Sequence, residues 1–182
     1  NKVPVFAMPR MKDYLETNGP WSQLLVFKNI ELKALQNDSI VLLNNDLKVT
    51  PLLVPHRDEF SETVGYYIKR KGGKVALYIP DIDKWEEWEE NIIAVIPNVD
   101  YAFLDGTFFA DGEVPRPMAE VPHPFITESA KLFSYLPREE REKIYFIHLN
   151  HSNPARNAGF EGRKALEAEG MHFAEFGQEF SL

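Results

Sequence analysis

Cysteine is absent from the 182 residues. Disulfides, thiolate metal ligands and cysteine nucleophiles are therefore excluded together, whatever the redox compartment. Long hydrophobic runs are missing too: none approaches the roughly 20 residues that cross a bilayer. The first residues carry no signal-peptide pattern. No membrane partner is expected, and a cytoplasmic location is the default expectation. Positive charge is scarce. Lys and Arg number 20 against 28 Asp and Glu, a net charge of -8, and no basic run occurs anywhere. Such a surface repels phosphate backbones, so no nucleic-acid partner is expected. Internal repeats, low-complexity tracts and linker-like stretches are also lacking, which leaves a single domain over 1–182.

What is present suits a packed core: 44% apolar residues, 13% of all residues aromatic. The most informative stretch is LLVPHRDEFSETVGYYIKRKGGKVALYIPDID, Leu52 to Asp83. It reads as apolar strands bounded by Gly and Pro, with LLVP running into His56 and VALYIP into Asp81. Upstream, VPVFA predicts a short buried strand and PRMKDYLET a helix with Pro9 in its first turn. WSQLLVF is ambiguous, and NIELKAL, SIVLLN and LKVTPLLVP predict strands. Downstream, Trp85, Trp88, Ile92 and Val95 fall near helical spacing and predict one helix with a solvated Glu face. YAFL predicts a strand that ends at Asp105-Gly106-Thr107. A loop with Pro115, Pro117 and Pro122 then reaches His123. PFITESAKLFSYL predicts a helix capped at Thr127 or just before it, and PREEREK a charged turn. IYFIHLNHSNP predicts a strand entering a polar loop. GRKALEAEG predicts a helix with Gly170 at its C-terminus, and MHFAEF a last strand. Strands alternating with helices make the class α/β.

Four strands end on ionisable groups: Pro55-His56, Pro80-Asp81, Leu104-Asp105 and Ile147-His148. At the carboxyl ends of strands in open α/β sheets, ligands and catalytic groups gather. Imidazole nitrogen with carboxylate oxygen is a donor set that zinc, iron or manganese accepts when no thiolate is available. Each residue also has a plainer reading. His56 could be a surface histidine and His148 a satisfied core histidine. Asp81 could cap the 84–95 helix, although Asp83 is better placed for that. Asp105 could hold its turn through an Asx-type bond. His123, between prolines, suits a supporting or acid–base group. His172 has no assigned role.

VPHRDEFSETVGYYI, LYIPDID, DYAFLDGTFF, VPHPFITES and FIHLNHSNP together resemble the metallo-β-lactamase superfamily. Within it the sequence is similar to the family of pyrroloquinoline quinone biosynthesis protein B. The pairing of LDGTFF with HLNHSNP is the most specific part of the match. The resemblance implies an αββα sandwich, here truncated at the N-terminus, so that 1–182 is the C-terminal part of one such domain. It implies His56, Asp81 and His148 as metal ligands, with Asp81 bridging. Asp105 and His123 match positions near the metal or substrate and are the expected catalytic or proton-transfer residues. His151 stands where relatives carry other polar residues. The superfamily motif H-x-H-x-D-H does not occur among the histidines at 56, 123, 148, 151 and 172. Its expected place is before Asn1, so this segment alone is expected to bind metal weakly, catalyse little and fold poorly.

The function implied by this resemblance is that of a metal-dependent hydrolase, with a metal-bound hydroxide as nucleophile and zinc as first choice, iron or manganese as alternatives. The substrate expected is a small or peptide-derived molecule. The resemblance to the biosynthetic relatives leaves oxidative chemistry, with iron activating oxygen, as the other expectation. A phosphodiesterase of the transfer-RNA-processing type and a non-catalytic binding or carrier protein on the same fold are the alternatives.

Overall fold

A computed structural model of the chain describes residues 2–115, 117 and 120–182. Its centre is a seven-stranded sheet in the order β3-β4-β5-β6-β7-β8-β9. The strands are β3 (Val41–Leu42), β4 (Leu47–Leu53), β5 (Val64–Arg70), β6 (Val75–Ile79), β7 (Tyr101–Asp105), β8 (Ile144–Ile147) and β9 (His172–Phe173). The first four pair antiparallel, and β6 to β9 pair parallel. Since β4 and β6 both oppose β5, strands β4, β6, β7 and β8 all run the same way. Their carboxyl ends therefore share one edge, and that edge carries His56, Asp81, Asp105 and His148. Topology alone makes the common rim.

Along β6, β7 and β8 one face of the sheet is largely buried. Leu77, Ile79, Ala102, Leu104, Ile144 and Phe146 alternate along β6, β7 and β8 and join a core with Trp85, Ile92, Ile126 and Phe133. The other face carries Tyr66, Tyr78, Phe103, Tyr145 and His172, in register across five strands. Phe180 covers part of that row, its ring 4.8 Å from Phe103 and 4.9 Å from Tyr145. Among the described residues, no helix is long and apolar enough to cross a membrane.

Helices α1 (Pro9–Thr17), α4 (Ile126–Phe133) and α6 (Glu161–Ala168) lie where periodicity predicts them, and WSQLLVF contains the short helix α2 (Ser22–Val26). Gly170 follows α6 at φ +100°, the left-handed conformation that a helix exit favours. The charged turn contains the one-turn helix α5 (Arg138–Arg141). The cap of α4 is Phe125, two residues before Thr127 and within the expected range, and its backbone N–H donates to Glu128.

Three expectations need correction. The 84–95 segment is not one helix: Trp85–Glu87 is a single 3₁₀ turn, Trp88 is extended, and α3 covers only Ile92–Val95. Two side-chain demands interrupt it. The indole N–H groups of Trp85 and Trp88 donate to Ser129 and to the Leu53 carbonyl, and Asn91 accepts from Ile93 N–H as a new cap. The four apolar residues are nonetheless buried and the Glu residues exposed, as their spacing requires. Second, β1 (Val3–Ala7) is not a buried strand. It pairs parallel with β2 (Ile30–Ala34) in a separate two-stranded sheet, with Val3 and Phe6 exposed. Third, SIVLLN and MHFAEF contribute only the two-residue strands β3 and β9 at the sheet edges.

Candidate metal centre

His56 follows β4 by three residues, and Asp83 N–H donates to the Pro55 carbonyl at 2.7 Å, which pins the two loops together. The His56 ring is held at Nδ1, 2.8 Å from Asp83 Oδ1. Its Nε2 lies 3.3 Å from Asp81 Oδ2. His123 stands near a small core of Phe108, Val121 and Phe125. Its Nδ1 sits 2.8 Å from Asp105 Oδ2 and 3.2 Å from Asp81 Oδ1. The rings of His56 and His123 are 5.1 Å apart. His56, Asp81 and His123 thus offer ligand atoms that all lie within 4.8 Å of one another.

Asp105 is completely buried. Its Oδ1 accepts from Thr107 N–H at 2.7 Å and from the Thr107 hydroxyl at 2.6 Å. Its Oδ2 accepts from Ile82 N–H at 3.2 Å and from His123. It acts on the rim only through these bonds. Burial works against the charged form of His123. The hydrogen bond to Asp105 and the charges of Asp105, Asp81 and Asp83 outweigh it and hold the imidazole above its ordinary pKa.

His148 is not in the three-residue group. It reaches it through Thr107, whose hydroxyl lies 3.0 Å from His148 Nδ1. His148 also adopts φ +60°, a left-handed conformation that costs a non-glycine residue about 1–3 kcal/mol. The surrounding loop enforces it: Asn150 N–H donates to the Thr107 carbonyl, and the Asn153 side chain donates to the Gly106 carbonyl. Gly106 permits the close approach, because a Cβ there would stand 3.0 Å from the Ile147 carbonyl oxygen and 3.1 Å from Phe146 Cβ. Gly106→Ala is expected to cost about 1–3 kcal/mol through overpacking, read by urea denaturation. A loss below that range would show that the β7 and β8 ends separate freely.

His151 is exposed, and His172 stacks on Tyr145 away from the group, with centroids 4.9 Å apart. Asp83 and Thr107 carry functional contacts that sequence reasoning missed. The D-I-D spacing offered a hint for Asp83, and nothing local marked Thr107.

The donor set fits a divalent ion. Asp81 Oδ1 is buried and has no hydrogen-bond partner. It is only 3.2 Å from His123 Nδ1, yet that nitrogen's proton is committed to the shorter bond with Asp105. A buried carboxylate oxygen without a donor is costly unless a cation meets it. Donor atoms sharing a tetrahedral zinc at roughly 2.0–2.1 Å lie roughly 3.3 Å apart, and Asp81 Oδ2 and His56 Nε2 are 3.3 Å apart. Beside His56 opens a cleft of about 430 Å³, with Asp38, Asp58, Glu62, Glu87 and Glu90 on its walls together with Trp88.

Comparison with known proteins bears on the fold that carries this geometry. The family profile described as the beta-lactamase superfamily domain matches residues 1–149. Coenzyme PQQ synthesis protein B of Cupriavidus necator is 25% identical over 134 residues, which cover 70% of this chain and 43% of that protein. Its counterpart in Rhizobium meliloti is 30% identical over 133 residues, 68% of this chain and 41% of that protein. The chain therefore spans about two fifths of the length of these curated relatives. Among solved structures, zinc-bound PqqB from Methylobacterium extorquens superposes with a TM-score of 0.81 at 21% identity, over 100% of this chain and 66% of that one. At that identity the likeness is one of fold, and it bears out the expected metallo-β-lactamase architecture.

Proposed function

Since the chain belongs to the β-lactamase superfamily, we propose that its rim is the divalent-metal site of a hydrolase similar to coenzyme PQQ synthesis protein B. The observation that carries this reading is the Asp81 carboxylate, set between the His56 and His123 rings with one buried oxygen, Oδ1, that has no hydrogen bond. His56 and Asp81 would hold the ion, with His148 as a further ligand and zinc as the first choice. An ion there supplies a Lewis acid that polarises a substrate oxygen and acidifies water.

The chain's own residues do the rest. Asp83 fixes the His56 ring by its Nδ1 and leaves Nε2 facing Asp81. Asp105 fixes the His123 ring in the same way, so Nε2 is the atom at which His123 can give or take a proton. Asp105 is a positioning residue, because it is sealed from any substrate. The substrate is a small or peptide-derived molecule entering by the cleft beside His56. The acidic walls of that cleft speak against a phosphate-rich polymer.

The test is hydrolysis of a chromogenic phosphodiester and of peptide-derived esters and amides, with zinc, manganese or iron added and then chelated. Turnover, however slow, is expected to depend on the ion and to disappear in His123→Ala. Turnover that survives both chelation and that substitution would overturn the reading.

A further inference from the structure

We infer that Thr107 is a positioning residue that fixes His148 in its Nδ1–H tautomer and leaves Nε2 unprotonated. The Thr107 hydroxyl has one hydrogen and stands between two partners, Asp105 Oδ1 at 2.6 Å and His148 Nδ1 at 3.0 Å. The carboxylate oxygen can only accept, and two oxygens 2.6 Å apart need a proton between them. The hydroxyl hydrogen therefore goes to Asp105, and His148 Nδ1 must be the donor to Thr107.

Asp105 is in no position to reverse this direction. Its Oδ1 already accepts the Thr107 backbone N–H, and its Oδ2 accepts the Ile82 N–H and His123. Thr107 and Asp105 are both buried, so water does not compete for the bond between them. One buried carboxylate thus sets two rings, His123 directly and His148 through a hydroxyl. With His56 held by Asp83, all three imidazoles are tied at Nδ1 and keep Nε2 free. The tautomer stands on hydrogen bonding alone; only its consequence for metal binding rests on the proposed function.

The experiment is long-range ¹H–¹⁵N correlation of the histidine rings in the metal-free full chain, for wild type, Thr107→Val and Thr107→Ser. The neutral His148 ring is expected to carry its proton on Nδ1 in wild type and Thr107→Ser, and to lose that preference in Thr107→Val. Zinc affinity is expected to fall about 10–100-fold in Thr107→Val and to be retained in Thr107→Ser. A wild-type ring protonated on Nε2 would overturn the inference, even were the valine variant to fail to fold. An unchanged tautomer in Thr107→Val would overturn it equally. A chain that shows the expected tautomers but takes up no zinc would instead count against the metal site while leaving the role of Thr107 standing.

Discussion

Asp105→Ala is expected to cost about 3–5 kcal/mol of folding stability, the penalty typical of removing one partner from a buried charged network. The side chain is fully buried, and both oxygens are saturated by donors from three different stretches of chain. Its removal strands the backbone N–H groups of Ile82 and Thr107 and frees the His123 ring. Asp105→Asn is expected to cost less, about 1–3 kcal/mol. In either orientation its amide NH₂ must face a backbone N–H, so one clash of donors is unavoidable. Urea unfolding of the metal-free chain reads both values without the added stability of a bound ion. An alanine variant as stable as wild type would mean that these bonds are not made.

Asp81→Ala is expected to behave in the opposite way. Metal affinity should fall by about 100-fold or more, because a first ligand contributes a large share of the binding free energy of such sites. Stability of the metal-free chain should change by less than about 1 kcal/mol. The reason is the same unpartnered oxygen: Asp81 Oδ1 makes no hydrogen bond that its removal could break. The two carboxylates sit close together and are expected to differ in purpose, Asp105 holding the fold of the rim and the half-buried Asp81 meeting the proposed ion. Calorimetric zinc titration and urea unfolding of the same variant separate the two effects. A strong loss of stability with affinity intact would reverse the assignment.

Much of this rim was legible in the sequence because each strand is an apolar run that stops abruptly at a polar group. His56, Asp81, Asp105 and His148 could be read that way, and the shared strand direction then brings their ends to one edge. His123 was legible as a site residue only through the proline-rich loop and the family resemblance, yet it stands nearer Asp81 than His148 does in the contact network. Asp83 was read as a cap because position relative to a helix is local information, whereas its bond to His56 crosses 27 residues. Thr107 acts across 41 residues, and a threonine after a glycine carries no local signal of that. The segment 84–95 misled for a related reason. Its apolar spacing reports which side chains are buried, and two tryptophans seeking separate hydrogen-bond partners decide the backbone. For β1, hydrophobicity identified a strand but could not say what covers it.

At the centre of the proposal is one ion, held by His56 and Asp81 with His148 as a further ligand and His123 beside it. The direct measurement is zinc titration of the chain followed at the ring signals of all five histidines. His56, His123 and His148 are expected to shift together along a single binding curve, with His151 and His172 silent. Separate curves for His56 and His123, or a response confined to His151 or His172, would contradict it.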